Sequence, residues 1–325
     1  MDQSLRGIKS FLKKDIALYE KRLKDILISH VGIIDQIVKY IIRFKGKNLR
    51  PLLVLMSARL VGTPLNNTYT IASVIELLHT ATLIHDDVID NSDVRRSFPS
   101  INAVWKNKIS VLIGDYFLSK SLIGASQTGN LKVIEIMAET AKRMSRGELF
   151  QIEKSRKLNI SQQEYFDLIA DKTAALFAAS CQLGAISVNA TQTESVLLKE
   201  FGENLGIAFQ IKDDLLDYQA SQIKIGKPAG SDLKHKNITL PLLLSFDKST
   251  QKEKKQIIGL IKKGVDKNDI KTVVQYCKNN GGFESAQIQV LKYAQQAKVC
   301  IEHLPNNRYK DIALRLVDYI VNRKK

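Results

Sequence analysis

The feature that most narrows what this chain can be is a repeated acidic pattern. Asp86-Asp87-Val88-Ile89-Asp90 and Asp213-Asp214-Leu215-Leu216-Asp217 share one spacing, in which two carboxylates precede two apolar residues and a third carboxylate. At helical pitch the first and fifth positions share a face, so Asp86 stands with Asp90 and Asp213 with Asp217. His79, seven residues before Asp86, falls on nearly the same stripe. The flanking residues read as helix core, where carboxylates need compensating cations. One copy of such a pattern is ordinarily a solvated face or a turn. Two copies with identical spacing and apolar flanks point to a ligand. Oxygen donors suit a hard ion, and magnesium in particular takes a few carboxylates and leaves its other positions to water and substrate phosphate.

The chain of 325 residues is long enough to bury a large core, and six prolines with seventeen glycines are too few for the turns of an all-β protein. Long stretches carry helical periodicity and none alternates over strand length, so the expected class is all-α. No composition break marks a second domain, so 1–325 is expected to be one domain. The net charge of +16 raises nucleic acid as a partner. The lysines, however, are dispersed without interleaved aromatics, as on a solvated face, and the useful partner class is small polyphosphorylated substrates rather than nucleic acid. An anionic membrane surface is a second partner such a chain favours, for release of a greasy product. Cys181, Cys277 and Cys300 match no zinc spacing. With no signal-peptide core and no apolar run of the roughly 18 residues a membrane span needs, the chain is expected to be soluble and cytoplasmic.

Leu5 to His30 reads as one amphipathic helix, and a second runs from Ile33 to Phe44. Lys47 and Arg50 stand at the start of the next, where free amides already favour an anion, although a plain basic connector has the same composition. Asn66-Asn67-Thr68 can cap a long helix reaching about Asn91. The loop beyond it holds Arg95-Arg96, whose planar forks suit phosphate oxygens. Lys172-Thr173 heads a run of small residues, Ala174 to Ser180, that allows close helix packing. After a helix from Val196 to about Tyr218, residues 226–237 form the longest polar, glycine-bearing segment, more often a lid or binding loop than idle connection.

With these motifs in this order, the sequence closely resembles the trans-isoprenyl diphosphate synthases of the polyprenyl synthetase family, almost end to end, and is most like long-chain, octaprenyl-type members. His79 to Arg96 looks like the family's first aspartate-rich region and Phe209 to Tyr218 like the second. The resemblance implies a single large helical bundle around a deep central cavity, usually in a homodimer, condensing an allylic diphosphate with isopentenyl diphosphate. It implies that Asp86, Asp90 and Asp213 bind magnesium bridged to the allylic diphosphate, with Asp87, Asp214 and Asp217 supporting them. Arg95, Lys172, Thr173, Gln210 and Lys227 match positions that hold the allylic substrate; Lys47, Arg50, His79 and Arg96 match those that hold isopentenyl diphosphate. Fixed charge from Arg95, Lys172 and Lys227 would assist departure of pyrophosphate, and the 226–237 segment would exclude water as a lid.

Chain length in this family follows the side chains below the first ladder. Ala81 and Thr82 are small, which resembles long-chain synthases and implies a hexaprenyl to octaprenyl product from farnesyl or geranylgeranyl diphosphate, with a floor among Leu118, Leu122 or Ile123. The chain departs from the family pattern in several places. Asn48 stands where many members have arginine, Lys45-Gly46 replaces a glycine pair, and Ser97 replaces a glycine. The lysine expected before Ile238 falls on Asn237. Lys236 is adjacent, so either the cation has shifted by one residue or one contact is missing. Competing readings are a non-catalytic partner subunit of a heteromeric synthase, which would be expected to lose the ladders, and a shorter-chain geranylgeranyl synthase. A terpene cyclase has little use for Lys47, Arg50 and His79, and an inert helical scaffold leaves both ladders unexplained.

Overall fold

The computed structural model describes residues 5–43, 46–95, 98–219 and 230–323. Among them the only strands are two residues long, and everything else of regular structure is helix. The N-terminal helices are α1 (Leu5–Phe11), α2 (Lys13–Leu27), α3 (Gly32–Arg43), α4 (Leu49–Val61), α5 (Asn66–Ile89) and α6 (Ile101–Ser126). Next come α7 (Leu131–Lys157), α8 (Gln162–Ile169), a π-helical turn (Ala170–Ala174), α9 (Ala175–Ile186) and α10 (Gln192–Gln219). The remainder is α11 (Ser231–Lys234), α12 (Leu240–Phe246), α13 (Gln251–Lys263), α14 (Lys267–Asn279), α15 (Gly282–Glu302) and α16 (Arg308–Asn322). The all-α expectation holds. The single N-terminal helix expected from Leu5 to His30 is instead two, interrupted at the buried Leu12. The loop after α5 contains a small hairpin, with β1 (Val94–Arg95) antiparallel to β2 (Phe98–Pro99).

The chain forms two compact units. The first comprises Met1–Ala141, Leu176–Gly202 and Ile301–Arg315, and the second Lys142–Ala175, Glu203–Cys300 and Leu316–Lys325. In the first, α4 and α5 are buried over most of their length. Leu65 precedes α5, and the Thr68 hydroxyl accepts its backbone N–H at 3.0 Å, so Thr68 does the capping expected of this asparagine-rich start. Close approach comes where glycines face α4 and the Ala174–Ser180 run. A Cβ on Gly184 would lie 2.5 Å from the Val54 carbonyl oxygen of α4, and one on Gly202 would lie 2.5 Å from that of Phe177 in α9. Arg59 holds the buried Asp15 through bonds of 2.8 and 3.0 Å, and Tyr69 donates to the same carboxylate at 3.0 Å.

The second unit packs around Tyr165, Ile211, Leu215, Tyr218, Leu233 and Leu240. Helix α8 enters this core from a capping box. Glu164 accepts the Ser161 N–H at 2.8 Å, and Lys154 pairs with its other oxygen at 2.5 Å. Lys154 first, and then the cap, lower the Glu164 carboxyl to about 2. A carboxyl depressed on folding stabilises the native state above its unfolded pKa, and that contribution disappears as pH falls through the folded value. Glu164→Gln should therefore unfold at lower urea than wild type at pH 7, with the gap narrowing as the pH is taken below about 4.5. Equal midpoints at neutral pH would remove this account.

Candidate active site

In the first unit, α5 carries the first acidic ladder. Asp86 is half-buried and Asp90 exposed, while Asp87 is turned inward with 2% exposure. Arg95 of β1 meets Asp87 through Nε at 2.7 and 2.8 Å to its two oxygens and through Nη2 at 2.7 Å. A guanidinium fork on a buried carboxylate is the strong form of ion pair. Sequence reasoning assigned Asp87 to the metal and Arg95 to the substrate; the structure joins them to each other. Both reach a largely apolar cavity of about 120 Å³ walled by Tyr19, Leu23, Tyr40, Ile84 and Phe117.

Arg50 donates to His79 Nε2 at 2.8 Å. A guanidinium has no acceptor, so Nε2 must be the unprotonated nitrogen and the ring keeps its proton on Nδ1. The guanidinium also lies 5.1 Å from the centroid of the Phe177 ring. Lys47 is exposed just ahead of Asn48, whose φ of 50° and ψ of 47° place it in the left-handed region at the N-cap of α4. Asparagine tolerates that conformation better than arginine, which explains this departure from the family pattern. Of the two chain-length candidates, Ala81 is packed with Leu77, Ile84, Ile113 and Phe117, and the Thr82 hydroxyl donates to the His79 carbonyl at 2.9 Å. Leu118 packs against that cluster, but Leu122 and Ile123 lie on the exposed side of α6, 47% and 53% exposed. The expectation that either forms a floor beneath the ladder is therefore corrected for this chain: turns of α6 between residues 117 and 125 put them on the opposite side from buried Phe117, Ser121 and Gly124.

In the second unit, α10 carries Gln210 and the second ladder. Asp214 is buried, with Tyr165 donating to one oxygen at 2.5 Å and the Gln210 amide to the other at 2.7 Å. Burial pushes its carboxyl up to about 7; the two hydrogen bonds pull downward, and Asp213 and Asp217 add to the rise. Thr173 donates to the Gln210 side-chain oxygen at 2.8 Å, so one chain of bonds links Thr173, Gln210, Asp214 and Tyr165. Asp213 is exposed and pairs with Arg323 at 3.0 Å. Arg323 itself is buried, stacked 3.9 Å from the Phe209 ring centroid and bonded to the Phe209 carbonyl at 2.8 Å. Asp217 accepts the backbone N–H groups of Ser231 and Asp232 at 3.2 and 3.1 Å, at the start of α11.

Lys172 is paired with Glu148 at 2.5 Å and donates to Gln151 at 3.0 Å. Lys236 donates to the Lys262 carbonyl at 3.1 Å near the end of α13, and Asn237 accepts from the Ser155 hydroxyl at 2.6 Å. Arg96, Lys227 and the 226–229 part of the expected lid lie outside the described residues. Glu148, Gln151, Tyr165 and Arg323 escaped the sequence reading. Only the third had a signal, an aromatic with a polar tip in an apolar stretch; nothing in sequence couples Glu148 or Arg323 to a partner so far along the chain.

Every acidic donor in the two ladders is a carboxylate oxygen, the chemistry a hard divalent ion takes. Among the described residues no group of three or more His, Cys, Asp or Glu side chains is gathered as a ready coordination sphere. Magnesium does not demand one, since one or two carboxylates with water and phosphate suffice. Asp86 and Asp90 in the first unit, and Asp213 and Asp217 in the second, stand outside the buried bonding of Asp87 and Asp214, and the carboxylate chemistry of each ladder fits such an ion.

The polyprenyl synthetase family model matches residues 31–277. The chain is 34% identical to octaprenyl diphosphate synthase of Escherichia coli (strain K12), covering 98% of this chain and 99% of that one. Among solved structures it is similar to a polyprenyl synthase from Caulobacter crescentus complexed with calcium and isoprenyl diphosphate, with a TM-score of 0.93, 32% identity, and 99% and 98% of the two chains covered. A geranylgeranyl pyrophosphate synthase from Bacteroides thetaiotaomicron matches with a TM-score of 0.83, 34% identity, and coverage of 98% and 100%.

Proposed function

This chain belongs to the polyprenyl synthetase family and is a polyprenyl diphosphate synthase, a prenyltransferase; from that premise we propose that it condenses farnesyl or geranylgeranyl diphosphate with successive isopentenyl diphosphates to a long-chain all-trans product. The observation that carries this reading is the presence of two complete carboxylate ladders, each with diphosphate-type donors in its own unit. Arg50 and His79 accompany the first; Lys172, Thr173 and Gln210 accompany the second. A non-catalytic partner subunit would have no need to keep both.

Magnesium would be held in the first unit by Asp86 and Asp90 and in the second by Asp213, and when bound it supplies Lewis-acid charge for the departing pyrophosphate. Asp87, Asp214 and Asp217 act behind them, tied to Arg95, to Tyr165 and Gln210, and to two backbone amides. Lys172, Arg95 and Lys227 bring fixed positive charge to the allylic diphosphate, where negative charge grows as the carbon–oxygen bond breaks. Thr173 and Gln210 orient it. Lys47, Arg50 and Arg96 hold the isopentenyl diphosphate, and neutral His79, with Nε2 occupied by Arg50, offers its Nδ1–H as a donor. The isopentenyl double bond attacks the allylic cation, and the proton is lost to the released pyrophosphate. No protein nucleophile is needed.

The small side chains of Ala81 and Thr82 support a product of hexaprenyl to octaprenyl length. The exposed apolar residues Val104, Val111, Leu112, Leu122 and Ile123 along α6 support a homodimer that covers them. None of the three cysteines forms a disulfide, which fits the reducing cytoplasm, and no helix among the described residues is long and apolar enough to cross a membrane.

Asp86→Ala and Asp213→Ala should each lower turnover of farnesyl diphosphate, labelled isopentenyl diphosphate and magnesium by at least about 100-fold, with the far-ultraviolet circular dichroism unchanged; near-normal turnover in either ends the metal reading. Thr82→Phe should shift the sized products toward shorter chains, and an unaltered ladder of products would count against the cavity assignment. Leu112→Glu combined with Leu122→Glu should convert a sedimenting dimer to monomer, whereas a wild-type protein that sediments as monomer removes the dimer.

A further inference from the structure

The residues that deliver Lys172 and Thr173 stand on a turn of unusual geometry. Ala170–Ala174 is π-helical, with the Ala175 N–H bonded five residues back to the Ala170 carbonyl. Such a turn inserts one residue into a helix and widens the backbone that carries Lys172 and Thr173, so it sets the direction of both relative to the helix on either side. An insertion of this kind needs outside support to persist in place of ordinary α-helix.

Helix α7 supplies that support over three successive turns. Arg143 Nε donates to Asp171 at 2.8 Å and Arg146 Nε to its other oxygen at 2.6 Å. Arg143 reaches further, to the Ala170 carbonyl at 3.2 Å and to Glu203 at 2.7 Å. One turn on, Gly147 meets the backbone of the π turn itself. A Cβ there would lie 2.8 Å from the Lys172 nitrogen and 3.0 Å from its Cα, atoms that cannot move without moving the turn. Glycine in a helix interior is destabilising against alanine, and this contact gives it a reason. Glu148 and Gln151 then take the Lys172 ammonium.

We infer that Gly147 and the Asp171 clamp formed by Arg143 and Arg146 are positioning residues that set the π turn, and through it the aim of Lys172 and Thr173 at the allylic diphosphate. This rests on the reading of Lys172 and Thr173 as allylic-diphosphate groups. Gly147 packs on the Lys172 backbone and the Asp171 carboxylate is taken up by Arg143 and Arg146, so both act through Lys172 and Thr173.

The test is a set of steady-state titrations with farnesyl diphosphate and isopentenyl diphosphate on the purified full chain. Gly147→Ala should raise KM for the allylic substrate about tenfold, the cost of one misplaced charge-assisted hydrogen bond, and leave KM for isopentenyl diphosphate within twofold. Asp171→Asn, which keeps the shape and removes the clamp's charge, should do the same to a smaller degree, and it carries the test if Gly147→Ala does not fold. In a Lys172→Ala, Thr173→Val background neither change should have a further effect, because the groups being aimed are gone. Unchanged allylic KM in both single variants, or full effects that persist in that background, overturns the positioning role while the substrate reading stands. If the Lys172→Ala, Thr173→Val protein itself keeps its allylic KM, the substrate reading falls and this inference falls with it.

Discussion

A carboxylate withdrawn from water has to be met by donors, and this requirement organises both units of the chain. Asp87 is met by Arg95, Asp214 by Tyr165 and Gln210, Asp171 by Arg143 and Arg146, and Asp15 by Arg59 and Tyr69. Breaking any one of these would strand a buried acid, at a cost of several kcal/mol. The repulsion among the ladder acids is visible where the donors are neutral. Asp214, held by a phenol and an amide rather than a cation, is pushed up to about 7, mainly by burial. Asp232, behind it, rises too, from burial and from Asp214, Asp217 and Asp213. A region of negative charge short of cations is what a divalent ion or a protonated acid relieves.

The helical class, the two ladders and their order were legible because they are local. Periodicity near 3.6 fixes a helix, and a spacing of four fixes a shared face, whatever the tertiary context. The same spacing put Asp213 on a face with Asp217, but it could not show that Asp217 is taken up by the Ser231 and Asp232 amides. What the sequence concealed depends on long-range meetings. Asp87 on α5 and Arg95 on β1 are eight residues apart across the irregular turn that ends the helix, so no helical or strand period relates them and their pairing could not be read. Glu148 finds Lys172, and Arg323 finds Asp213 over more than a hundred residues. The break at Leu12 and the π turn at Ala170 also have no composition signal, since both residues sit in otherwise good helix-forming runs.

The polar segment before Ile238 shows how a departure from a family pattern can be absorbed. Its described part is fastened at each step. The Ser231 and Asp232 amides bond to the Asp217 carboxylate, the Asn237 N–H to the Asp232 carbonyl at 2.8 Å, and the Asn237 side chain to Ser155. A lysine at 237 could not accept from Ser155, because an ammonium has no lone pair to offer. Asparagine there exchanges a cation for a strut to α7, the helix whose Glu148 and Gln151 hold Lys172.

Lys236 does not restore that cation where it stands. Its backbone is left-handed, with φ of 61°, and its ammonium is committed to the Lys262 carbonyl at the end of α13, where a positive charge is favoured by the helix dipole. Of the two alternatives that the sequence left open, this geometry favours a missing contact over a shifted one. The positive charge available to an allylic diphosphate in the second unit then falls more heavily on Lys172. That makes its aim, set by the turn beneath it, more consequential here than in a chain that keeps the extra lysine.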